Sequence, residues 1–237
     1  MARPDLLGLP AGATSFSAAA TPWAALRDAL LAGDEERALE SIFSAFLDGD
    51  PLAEIADGLI SPAMEHLGTL WAHSPDGILV EHRAFDIVMR ALRRIQDLLP
   101  RPAPGAPVAV GGAPPGDVYT MPSLCASLVF QEAGFRAINL GAQTPWETLI
   151  LACRQYGPRA VWLSFSTERE NGEDTIASLR RLAREGRKSG AIVYCGGAAM
   201  PEAIEKMKPE NIQPLRRLAE LESHLKSGGE PRERSRV

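Results

Sequence analysis

The chain has 237 residues, 45% of them hydrophobic and 23% charged, with a formal net charge of -5, which suits two compact domains and excludes a largely disordered or fibrous protein. The basic residues near its C-terminus (Arg216, Arg217, Lys226, Arg232, Arg234 and Arg236) are interleaved with acids, so direct nucleic-acid binding is not expected. No apolar run reaches the ~18 residues of a membrane span and no basic segment with an apolar core opens the chain, so a cytoplasmic protein without membrane association is expected.

Residues 1–22 are rich in Ala, Gly, Pro, Ser and Thr and predict a mobile arm. From Trp23 to Leu99 apolar residues recur at helical spacing, as in Leu39, Ile42, Phe43, Phe46 and Leu47. Breaks at Gly33-Asp34, Gly49-Asp50-Pro51 and Ser74-Pro75-Asp76-Gly77 divide this stretch into a four-helix bundle, with Met64 and Met89 expected in its core. A Pro-rich linker follows at 100–107. Beyond it, strands at Val108–Val110, Arg136–Asn139, Ala160–Ser164 and Ala191–Tyr194, with a fifth near Ile212, alternate with helices. Such alternation predicts an α/β domain over 108–226 with a five-stranded parallel, flavodoxin-like sheet, closed by a helix over roughly Leu215–Leu225. Residues 227–237 read as a disordered tail. The cysteines, Cys125, Cys153 and Cys195, are widely spaced and predict free thiols, Cys125 in the core and Cys195 nearer the ligand crevice.

In a parallel sheet of this kind ligands meet the loops at the carboxyl ends of the strands. The first such loop, Gly111 to Pro122, is long and glycine-rich but lacks GxGxxG and a P-loop lysine, which speaks against a dinucleotide or triphosphate. Ser164-Phe165-Ser166-Thr167 and Cys195-Gly196-Gly197-Ala198 converge on the same edge, the glycines offering bare backbone to a ligand. No paired carboxylates, Ser-His-Asp set or HExxH occurs, so an enzyme is not expected.

Asp117 to Pro122, Ser164 to Ser166 and Gly196-Gly197, with Gly141-Ala142-Gln143-Thr144-Pro145 between them, resemble in order and spacing the Asp-x-His-x-x-Gly, Ser-x-Leu and Gly-Gly signature of the cobalamin-binding family. In the helical region Trp71 is followed after nine residues by Glu81-His82, a pattern similar to the cap of light-sensing, adenosylcobalamin-dependent transcriptional regulators. The resemblance implies a cobalamin, adenosylcobalamin first, held between cap and α/β domain. Trp71 would shield its upper face, Glu81 and His82 would line the cavity, and Asp117, Tyr119, Ser164, Ser166, Gly196 and Gly197 would contact it from the sheet, with Ser164, Ser166 and Thr167 bonding a nucleotide tail that runs down beside the sheet.

Two departures matter. Tyr119 stands where the family's lower axial histidine would be and Pro122 where it has glycine; a neutral phenol with a pKa near ~10 is a poor cobalt donor, so histidine ligation is not carried over. Cobalamin with its own base attached, cobalamin without a lower ligand, a bilin or haem, and a cofactor-free interaction module all stay open, with His73, which could reach an upper cobalt position, or His82 as possible metal ligands. Nor is there room before the bundle for a DNA-binding helix-turn-helix, so regulation would run through a protein partner such as a transcription factor; self-association is also open. A corrinoid carrier in methyl transfer is the alternative activity.

Overall fold

The computed structural model describes residues 21–70, 75–167, 172–207 and 211–228. Two candidate site residues, Trp71 and His73, lie outside this set, as do most of the arm and tail read from the sequence. The chain divides into two units, Met1–Leu99 and Pro100–Val237.

In the first unit α1 (Pro22–Ala32) opens on a proline in its first turn and stops at Gly33, whose φ of 72° is the left-handed conformation that ends helices. The α2 helix (Glu35–Asp48) is capped by Asp34, whose carboxylate accepts the Arg37 N–H at 3.1 Å, and carries Glu35 and Glu36 in its first turn, where the helix dipole favours acids. The short α3 (Leu52–Glu54) passes through a π-helical turn at Ile55–Ile60 into α4 (Ser61–Leu70). Pro62 explains the wide turn: it has no N–H for the carbonyl of Gly58 and its ring crowds that carbonyl, so the ladder before it opens by one residue. The long α5 (Pro75–Leu98) completes the unit. Leu26, Leu30, Ile42, Phe43, Ile60, Leu67, Val88 and Ile95 form its buried interior, while Met64 and Met89, expected in the core, sit half-buried on its flank. Arg83 of α5 donates to the carbonyls of Leu30 (3.2 Å) and Leu31 (2.9 Å), tying α5 to the open end of α1.

The second unit is a sheet of β1 (Val108–Gly112), β2 (Arg136–Asn139), β3 (Ala160–Ser164), β4 (Ile192–Gly196) and β5 (Ile212–Leu215). All pairings are parallel and the order is β2-β1-β3-β4-β5, so the chain reverses its direction of winding between β1 and β3. The connections are α6 (Met121–Glu132), α7 (Trp146–Tyr156), α8 (Gly172–Arg187), the short α9 (Glu202–Lys206) and, after β5, α10 (Leu218–Lys226). The last helix starts later than the sequence suggested because Ile212–Leu215 is committed to β5.

Alternation along each strand gives the sheet two different faces. One carries Val161, Leu163, Phe165, Val193 and Cys195, packed with Leu149, Cys153, Leu179, Leu182 and Ile204 in an aliphatic core. The other carries Gly111, Asn139, Trp162, Tyr194 and Gln213 in one row, by the strand register. This second face meets α6 and α10 through Phe130, which lies 5.3 Å from Trp162 and 5.9 Å from Tyr194, and through His224, 5.8 Å from Tyr194.

Candidate functional site

The loops leaving the carboxyl ends of β1, β2, β3 and β4 are stitched to one another by their own backbone. Ala113 N–H donates to Gly141 O, Thr144 N–H to Ala113 O and Gln143 N–H to Asp117 O, each at 2.8 Å. Gln143 takes a φ of 49°, left-handed backbone in a residue with a side chain, to make this turn. On the other side Phe165 N–H donates to Gly196 O at 2.8 Å and Ala199 N–H to Phe165 O at 3.0 Å.

Asp117 joins the two halves. Its side chain is fully buried. Oδ1 accepts the Tyr119 N–H at 3.1 Å, and Oδ2 accepts the N–H groups of Ser166 (2.5 Å) and Thr167 (3.3 Å). A buried carboxylate is tolerable only when hydrogen-bonded, and three amides from two loops meet that need here. Asp117, predicted as a cofactor contact, is therefore the clasp that fixes the loops around it.

The clasp leaves polar groups unmet. Ser164 is 6% exposed, and the hydroxyls of Ser164, Ser166 and Thr167 are buried without a hydrogen-bond partner among the described residues. An unmet buried hydroxyl costs about 1–3 kcal/mol, and three in consecutive reach of one edge are a place where a polar ligand would be bonded. These residues fit the nucleotide or amide groups of a corrinoid, and Tyr119 does not fit as a cobalt ligand.

Two glycines at this edge lie close against the protein's own backbone. A Cβ at Gly197, whose φ is 115°, would lie 2.2 Å from the Phe165 carbonyl oxygen, and one at Gly112 2.7 Å from that of Gly141. Their bare backbone is taken up by the protein's own loops. At Gly196 a Cβ would lie 3.1 Å from Leu215 O. Cys195, expected near the crevice, faces the aliphatic core with no exposure, and burial pushes its thiol well above the usual range. Cys125 is buried in α6, as expected.

The structure thus gathers Asp117, Tyr119, Ser164, Ser166, Gly196 and Gly197 at one edge of the second unit. Tyr119 is 40% exposed beside the still more open Val118. In the first unit Glu81 and His82 are neighbours on α5, Nε2 of the imidazole 3.7 Å from Oε2 of the carboxylate, with the histidine side chain 71% exposed. Among the described residues no group of three His, Cys, Asp or Glu could hold a metal ion. None of their helices is long and apolar enough to cross a membrane.

Sequence reasoning missed Trp162. Its indole N–H donates to Ser123 Oγ at 3.0 Å, and Ser123 donates in turn to Asn139 Oδ1 at 2.9 Å, which also accepts the Gly141 N–H. The sequence carried no clear signal for it, since Gly111 was read as loop; in the structure β1 extends through Gly111, which pairs with Trp162, and a Cβ there would lie 2.2 Å from the Trp162 ring.

Residues 23–96 match the family model described as the B12 binding domain. Over 109 residues the chain is 33% identical to the HTH-type transcriptional repressor CarA of Myxococcus xanthus, a match covering 46% of this chain and 36% of the repressor's length. Over 181 residues it is 24% identical to the dimethylamine corrinoid protein of Methanosarcina barkeri, covering 75% of this chain and 84% of that protein. In fold it is similar to the monomethylamine corrinoid protein of Methanosarcina barkeri, with a TM-score of 0.61 and 19% identity over 85% of this chain and 96% of that one. The resemblance to cobalamin-binding proteins read from the sequence holds, as does the fold class, a helical region ahead of a five-stranded parallel sheet.

Proposed function

We propose that this protein binds cobalamin and acts as a sensory or regulatory protein through a protein partner. The observation that carries the binding is the set of buried, unmet hydroxyls of Ser164, Ser166 and Thr167 at the clasped edge of the sheet. They would bond the polar groups of the cofactor, while Asp117 holds their loop in place and Tyr119 lines the approach.

A bound adenosylcobalamin would supply a cobalt–carbon bond that light breaks. Trp71, Glu81 and His82 enter this reading by resemblance, as the groups that would feel the upper substituent come and go. The change would be read by a partner, a transcription factor being the first candidate given the likeness to a repressor. The test is an absorbance spectrum of the protein incubated in the dark with adenosylcobalamin, haem or biliverdin, then illuminated, with Trp71→Ala alongside. A cobalamin spectrum that Trp71→Ala weakens and light alters is expected. Binding without a light response would remove the sensor reading, and no bound chromophore would remove cobalamin.

A second reading, a corrinoid carrier in methyl transfer, is favoured by the 84% coverage of the dimethylamine corrinoid protein. Methyl transfer from the methylated corrinoid to a thiol acceptor, catalysed by a partner methyltransferase, would establish it.

A further inference from the structure

The unmet Ser164 hydroxyl belongs to the sheet face that carries Trp162, because the two are separated by one residue of β3. A group admitted at Ser164 and moving down beside the sheet therefore meets the next row after about 7 Å. That row is filled. Trp162 and Tyr194 stand side by side in it, each 2% exposed, with Phe130 packed on both and His224 against Tyr194. Trp162 cannot swing aside cheaply, since its ring is seated on Gly111 and its N–H is fixed by Ser123, itself bonded to Asn139. The row above offers no detour: Ser164 is followed across the sheet by Gly196 and then Leu215, and the Leu215 Cβ lies 3.6 Å from a Cβ built at Gly196. A cleft of about 340 Å³ between β5 and α10, lined by Gln213, Leu215, Arg217, Glu220, Ser223 and His224, opens on the same sheet face beyond Tyr194, with Leu215 and His224 among its walls.

From this we infer that the chain holds cobalamin with its nucleotide base still on the cobalt, because the trough a detached base would enter is packed with aromatic side chains. The inference rests on the cobalamin reading above. It joins two independent features, since a protein with Tyr119 in place of an imidazole gives the cobalt no incentive to release its base. The hydroxyls of Ser164, Ser166 and Thr167 then face the underside of the cofactor and its attached base at the rim, with no group reaching below them.

The experiment is electron paramagnetic resonance of the full chain, uniformly labelled with ¹⁵N and reconstituted with unlabelled cob(II)alamin at neutral pH. An axial nitrogen triplet, from the cofactor's own ¹⁴N, is expected, and Trp162→Phe should leave it unchanged. A doublet would mean a protein histidine on the cobalt, and an unsplit signal a detached base; either overturns the inference while leaving cobalamin binding intact. Failure of the protein to retain cobalamin on gel filtration would overturn both.

Discussion

Asp117 and Ser164 sit in the same clasp and should respond to truncation in opposite ways. Asp117→Ala strands three amides, those of Tyr119, Ser166 and Thr167. The expected loss is about 3 kcal/mol of stability, read from the urea midpoint, together with loss of cobalamin. A loss under about 1 kcal/mol would mean that the loops hold without the carboxylate. Ser164→Ala removes a hydroxyl that has no hydrogen-bond partner among the described residues. It should leave stability unchanged or raise it by about 1 kcal/mol while weakening cobalamin roughly fivefold. A clear drop in stability would show that the hydroxyl has a structural partner. Both residues were legible in the sequence through their motif. The clasp was not, because two of its three amides, those of Ser166 and Thr167, are 49 and 50 residues from Asp117 and amides carry no sequence signature.

At the scale of elements, what was legible is what local chemistry decides. Gly33 and Gly49 mark helix ends because they adopt left-handed backbone at little cost, and Pro51 because it lacks the N–H and crowds the preceding turn, and the helices break there. The π turn at Ile55–Ile60 was not legible, since Pro62 fits the first turn of a new helix as readily as a widened turn in a continuous one. Gly33 also shows a local signal with a distant partner. Its φ of 72° disfavours a side chain, and a Cβ there would come within 2.5 Å of the Arg83 guanidinium carbon. Gly33→Ala should thus strain the turn by about 1 kcal/mol and displace Arg83 from the Leu30 and Leu31 carbonyls, for roughly 2–3 kcal/mol in all. Arg83→Met, which keeps much of the stem, should lose only the hydrogen-bond share, about 1–2 kcal/mol. Equal losses in urea titrations of the two variants would mean that the turn itself carries no strain.

For the molecule as a whole, the five-stranded parallel sheet followed from the sequence because helical crossovers enforce parallel pairing, whereas the content of each sheet face depended on which side chains fill it. That filling makes the protein sensitive to alkali. Burial, helped by the charge of Glu185, pushes the Cys153 thiol up to about 11, burial alone pushes the Tyr194 phenol up to about 12, and Cys195 is raised further still. In the unfolded chain a thiol titrates near ~8.5 and a phenol near ~10. All three groups have folded pKa values above their unfolded ones, so the folded state binds more protons in the window between the two. Their contribution is complete below the unfolded values and is lost as pH rises through that window, first for the thiols. Stability should therefore be level to about pH 8 and then fall by about 1.4 kcal/mol per pH unit for each thiol titrating in the unfolded chain. Urea titrations between pH 7 and pH 10 test this, and Cys153→Ala with Cys195→Ala, although less stable at neutral pH, should flatten the decline below the tyrosine range. A wild-type midpoint as high at pH 10 as at pH 7 would mean that the thiols ionise inside the folded protein, which an aliphatic core of Leu149, Val161, Leu163 and Val193 gives no means of supporting.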